Sequence, residues 1–208
     1  MQRFIEQQNR AHYRKLLAVE TDPRLIKVLE GLLRSTERTL AILEASATGV
    51  RSDAQLVRDR YLPRATPKAI SHFQREFEAT DRPWLLVDPG PGLHIVDIND
   101  TYATATLTAR SKVAGEKLFD IFPDNPDDPA ANGASMLFRS LKTVSESGQP
   151  HEMAVQRYDV RDATGAFVAR FWQPRNMPIL DDGGRLLFIL HHVEDVTSRF
   201  AAAAASAA

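Results

Sequence analysis

Four aspartates and three prolines crowd residues 120–133, "DIFPDNPDDPAANG", and raise the first chemical question. A calcium loop needs acids at alternating positions around a sharp glycine turn. Here Pro126 takes one of those positions and no glycine lies among the acids, which disfavours a metal site. The same residues suit the approach to a helix. Asp128 has N-cap chemistry, Pro129 fits a first helical turn, and the other prolines hold the approach extended. A second group, Arg157, Arg170, Trp172, His191 and Asp195, lies in the C-terminal third. An arginine with a tryptophan beside it can hold an anionic group, and a carboxylate near it can instead neutralise it. The chain has no cysteine, so disulfides, thiolate metal sites, cysteine nucleophiles and cysteinyl-adduct photochemistry are excluded. No nucleophile elbow, Walker loop, dinucleotide fingerprint or paired-histidine zinc motif occurs. "GPG" at 90–92 leads into a strand-like run and reads as a turn. An enzyme is not expected.

The elements that must position these groups begin with a helical hairpin over 1–48. "TDP" at 21–23 breaks it, with Pro23 in a first helical turn. In the second helix Leu25, Leu29, Leu32, Thr36, Thr39 and Leu43 follow a 4-3 spacing, widened by Val28, Leu33, Leu40 and Ile42. Such a stripe must be covered, by a second copy of the chain or by the rest of this one. Residues 49–66 read as a junction. Thr66–Pro67 then opens a helical stretch with Ile70, Phe73 and Phe77 on one side. From residue 84 the pattern turns to strands: "WLLVD" and "LHIVDI" around "PGPG", then short helical pieces, then a helix closed by Gly148. Three strands follow, separated by "DATG" and "DDGG". This is an α+β arrangement with one antiparallel five-stranded sheet and short helices on one face. The Ala-rich tail, 199–208, is uninformative. A net charge of −1 gives no sign of nucleic acid or an anionic membrane as partner. Apolar runs such as "LLFIL" are too short to span a bilayer, so a cytoplasmic protein is expected.

"VDIND" at 96–100, "VAGEKLFDIFPDNPDDP" at 113–129 and "DGGRLLFILHHVEDVT" at 182–197 give the chain a family resemblance. It resembles a PAS domain over roughly 67–198, of the type found in bacterial sensor histidine kinases and two-component signalling. The resemblance implies a sensor module that binds a small-molecule ligand, forms a homodimer, or both. It would relay the change to a kinase or other output domain. The closing Asp-x-Thr, Asp195 and Thr197, would carry that relay. A ligand-free dimerisation scaffold is the alternative.

Strand alternation then assigns a pocket. If "DATG" and "DDGG" are four-residue loops, Val155 lies opposite Trp172, Arg157 opposite Arg170, Arg170 opposite Asp195, and Trp172 opposite Val193. One face carries Met153, Val155, Arg157, Arg170, Trp172, His191, Val193 and Asp195; the other carries Tyr158, Phe167, Phe171, Phe188, Leu190 and His192. By analogy with flavin-binding members, the first face lines the cavity, with Met136 of the long helix above it. Arg170 pairs with Asp195, or Arg157 and in part Arg170 bind an anionic ligand beside Trp172. The resemblance also screens cofactors. Gly115-Glu116-Lys117 and Val193 replace the residues of cysteinyl-flavin sensors. Residues 130–147 hold no histidine for haem, leaving only His94, His151 and His191. Haem and non-covalent flavin are both disfavoured, and the ligand is left open.

Overall fold

The structure, a computed structural model, describes residues 1–50 and 75–200. The expected junction and the helix start at Thr66–Pro67 lie mostly outside them. Helix α1 (Gln2–Leu17) ends before the "TDP" break and α2 (Pro23–Thr48) begins at it. The Asp22 carboxylate accepts the Arg24 N–H at 2.8 Å, and Pro23 fills the first position, where an N–H has no helical partner in any case. α1 and α2 pack on one another, tied by Arg14 and Glu37 at 2.7 Å.

The apolar stripe of α2 divides. Its C-terminal half buries Thr36, Leu40, Ala41 and Ala45 against the rest of the chain. Its N-terminal half leaves Leu25, Val28 and Leu32 exposed, and α1 exposes Phe4 and Ile5. The docked end is fixed by backbone. Gly92 N–H donates to Ala45 O at 2.7 Å and Val50 N–H to Pro89 O at 3.0 Å. Gly49, at φ +64°, sits so close to this turn that a Cβ would lie 2.1 Å from Gly90 O.

β1 (Trp84–Val87) and β2 (Ile95–Ile98) form the first pair of strands. Three short helices follow: α3 (Asp100–Ala105), α4 (Arg110–Val113) and α5 (Leu118–Ile121). The long helix α6 (Gly133–Ser147) ends at Gly148 in the left-handed region, as its sequence position requires. The remaining strands are β3 (His151–Glu152), β4 (Gln156–Arg157), β5 (Val160–Arg161), β6 (Phe167–Val168), β7 (Phe171–Leu180) and β8 (Leu186–Asp195). The antiparallel sheet runs β2-β1-β8-β7-β3, and β4 shares the edge position with β3.

All four residues of β1 are buried because both faces are covered. Leu85 and Val87 join Ile95, Ile98, Ile189 and Leu141 in the main core, on the side of the short helices and α6. Trp84 and Leu86 meet Leu190 and Phe77, the latter on a helical turn at 75–79, on the opposite face.

Asn99 joins these layers. Its Oδ1 accepts from the Trp84 and Tyr102 amides at 3.0 and 2.9 Å, capping α3. Its Nδ2 donates to Phe77 O and Arg82 O. Asn99→Ala strands several buried groups at once and should cost about 3 kcal/mol. A urea titration reads this directly, and a loss under 1 kcal/mol would show that water replaces the amide.

Candidate functional site

The inward face of the sheet encloses a cavity of about 40 Å³ beneath α3, α5 and α6. Trp172, His191 and Val193 line it, with Tyr102, Phe122 and Leu137 opposite. Room for water-sized occupants is all it provides. A flavin or haem needs a pocket of several hundred Å³, so neither fits this arrangement.

His191 is the one of the three screened histidines that lines the cavity; His151 bonds Ser140 and His94 bonds Gly115 O. Its orientation is set by a buried chain of hydrogen bonds. Asn176, fully buried, donates through Nδ2 to Ser140 Oγ at 2.7 Å, so its Oδ1 accepts from His191 Nδ1–H at 2.7 Å. Ser140 Oγ then bonds His151 Nδ1 at 2.7 Å. Neutral His191 therefore offers Nε2 as an acceptor. Burial, aided by His192, pushes its pKa down to about 3.

A second space, of about 420 Å³, opens beside the first. It lies between the 124–132 loop, the start of α6 and the edge strand, and it holds Met136, Val155 and Arg157. The expectation that Val155 and Arg157 share a cavity with Trp172 is overturned. β3 pairs in the expected register, His151 with Asn176, but β4 is one residue out of step, Gln156 with Trp172 and Arg157 with Phe171. The chain gains a residue between these pairs, a bulge that turns Gln156 and Tyr158 inward and Arg157 outward. The far loop explains the new register: Arg161 pairs with Phe167, and the Asp162 side chain holds the Thr164 and Ala166 amides across a five-residue turn.

Between β7 and β8 the register also departs, Trp172 facing Asp195 and Pro174 facing Val193. That shift is two residues, so the inward set Trp172, His191 and Val193 is unchanged. Arg170 is not directly opposite Asp195, and it lines neither space. Its Nε nonetheless approaches Asp195 Oδ2 at 3.8 Å.

The helix cap differs too. α6 begins at Gly133, and Asp128 instead turns the loop by accepting the Ala130 amide at 2.8 Å. The capping oxygen comes from Asp124, which accepts Ala134 N–H at 3.0 Å. Burial raises the Asp124 carboxyl, partly offset by that amide and by Arg38. Arg38 of α2 lies 2.9 Å from it and also donates to Ala131 O at 2.6 Å. Arg157 is held by Asp159 through two bonds of 2.8 and 2.9 Å and by Asp128 at 3.3 Å. Burial pushes Asp159 up, but Arg157 and Asn125 outweigh it and leave the carboxyl below its ordinary range.

At the exit, Asp195 Oδ1 accepts Thr197 N–H at 2.9 Å where a helix starts, and Thr197 Oγ1 accepts Phe171 N–H at 2.9 Å. Phe200 stacks on Phe171 at 4.5 Å.

The antiparallel sheet, with short helices and one long helix on one face, closes over a central cavity. The family model described as PAS fold matches residues 77–201, more than half of the chain, and the chain belongs to that family. Among solved structures it is similar to the LOV protein of Rhodobacter sphaeroides (14% identity, TM-score 0.50, covering 63% of this chain and 69% of that one). It is also similar to the PAS domains of Bordetella pertussis BvgS (18%, 0.47, 62% and 88%) and of the fruit-fly ELK potassium channel (14%, 0.44, 62% and 97%). No curated protein matched in a sequence comparison. Among the described residues no helix is long and apolar enough to cross a membrane.

A histidine that stays neutral when folded but protonates near 6.5 when unfolded destabilises the fold in acid. Between about pH 6.5 and 3 the unfolded chain binds the extra proton, so stability falls as pH falls, by up to ~1.4 kcal/mol per unit. His191→Gln should flatten that slope. Urea midpoints at pH 7.5 and 5.5 test it; parallel losses in both proteins would assign the slope elsewhere.

Proposed function

We propose that this chain is a signal-sensing module, without catalytic activity, that binds a small molecule and passes the change to an output partner. The reading includes a cytoplasmic, two-component setting of the histidine-kinase type, which the sequence resemblance supports. One observation carries it. The loop that walls the 420 Å³ groove is fastened by Arg38 to α2, so a ligand displacing that loop acts on an element that precedes the PAS domain in the chain. A ligand moves such an element only if it binds one arrangement better than the other.

Two outlets fit this role. The first is α2 with α1, whose exposed Phe4, Val28 and Leu32 suit a helical hairpin packing on a second copy. The second is the exit at Asp195 and Thr197. The alternative, a ligand-free dimerisation scaffold, draws on the small volume of the inner cavity, about 40 Å³.

Native mass spectrometry beside the denatured mass separates the readings. The sensor reading expects a dimer with additional small-molecule mass, or one acquired from a metabolite mixture. A dimer that stays clean in every mixture supports the scaffold, and a monomer removes the dimer from both. Asp195→Ala should leave that ligand mass in place while abolishing ligand-dependent changes in amide exchange at 197–200. Equal loss of folding and binding in the variant would make Asp195 structural only.

A further inference from the structure

The inner cavity and the outer groove share two lining residues, Gln156 and Tyr158. Tyr158 is pinned through its backbone: its N–H donates to Arg170 O at 3.0 Å and its O accepts from Trp172 Nε1 at 2.8 Å. Only the side chain is left to move. Its hydroxyl donates to Phe122 O, and its ring lies over Gly133 at the start of α6. The contact is so close that a Cβ on Gly133 would fall 1.8 Å from a ring carbon. The phenol thus stands between the two spaces, one of the two side chains they share.

The two sides differ in chemistry. Inside are aromatic and aliphatic side chains, with His191 as an acceptor. Outside, Arg157 is already occupied by Asp159 and Asp128, which leaves the acceptors in excess. Gln156 Oε1, on the boundary, is buried without a hydrogen bond. An anionic head would find its arginine taken, while a donor head would find oxygens waiting. The joined volume reaches the range of small-molecule sites, roughly 300–1,000 Å³.

We propose that groove and cavity are the two ends of one binding site, gated by Tyr158, for a small molecule with an apolar ring and a cationic, hydrogen-bond-donating head. The ring takes the place that the Tyr158 ring vacates over Gly133, with its edge toward Trp172, and the head stays outside by Asp128 and Gln156. This rests on the sensing reading and deepens it by naming the ligand class.

Gly133→Ala tests the gate while keeping Tyr158 itself, because the new methyl group displaces the ring. Tyr158→Val removes the ring outright and serves if the first variant fails to fold. Tryptamine, indole and indole-3-acetate are the probes, followed by calorimetry and by saturation transfer from the protein. Both variants should bind tryptamine about tenfold more tightly than the wild type, since a gate open about a tenth of the time weakens apparent affinity by that factor. Tryptamine should bind better than indole-3-acetate, and Asp128→Asn should erase that preference. Unchanged affinity in a folded variant, or a preference for indole-3-acetate, overturns the proposal. Tighter tryptamine binding in variants of a wild-type chain that never carries a ligand keeps the two-ended site and sinks the sensing reading.

Discussion

The one-residue step along the edge strand is the constraint on which the site depends. Up to Glu152 the edge keeps one register with β7, and from Gln156 it keeps another. Side chains in a strand alternate between faces, so this single extra residue reverses everything after it. Tyr158 goes in and meets Gly133, while Arg157 goes out and meets Asp128 and Asp159. In the other register the arginine would point at the core, away from both carboxylates, where an unpaired guanidinium is costly. The bulge is therefore held from two sides, by an aromatic ring that needs a glycine and by a cation that needs acids.

Much of the fold is legible in local sequence because local chemistry decides it. Asp22 and Pro23 start a helix, Gly148 stops one, and Asp195 with Thr197 tie the end of a strand to the helix after it. The pocket is less legible, and the parity of each register explains which parts. A slip of two residues between β7 and β8 left Trp172, His191 and Val193 on the expected face. A slip of one at β4 exchanged Val155 and Arg157 for Gln156 and Tyr158. The loop length behind that slip turns on the Asp162 side chain, whose bonds to Thr164 and Ala166 convert four residues into five. Asn176 and Ser140 also escape a reading by pattern. Each is a small polar residue whose meaning comes from a partner more than ten residues away. The available signal is parity: Asn176 falls in step with Trp172 and Pro174, the buried side of β7, while Gln173 and Arg175 fall on the other.

The acidic stretch combines several tasks that sequence alone presents as one. Asp124 caps α6 and faces Arg38, Asn125 donates to Asp159, and Asp128 turns the loop and steadies Arg157. Helix start, groove wall and the contact with α2 are thus built from one short segment. α6 adds a second tie to α2 through Lys142 and Glu44 at 2.7 Å. The long helix is coupled on one side to the Asn176–His191 chain and on the other to the N-terminal pair.

The docking of α2 at one end only has a mechanical consequence. Its 26 residues run about 39 Å, and some 22 Å separate Arg38 from Pro23. A tilt of about 10° at the docked end would swing the far tip by roughly 4 Å. Packed helices sit about 8–10 Å apart, so a displacement of that size is enough to decide whether the tip meets a neighbour or misses it. A helix held at that end is a lever pivoting near Ala45, so a shift where Arg38 grips the loop would be magnified about threefold at the far tip.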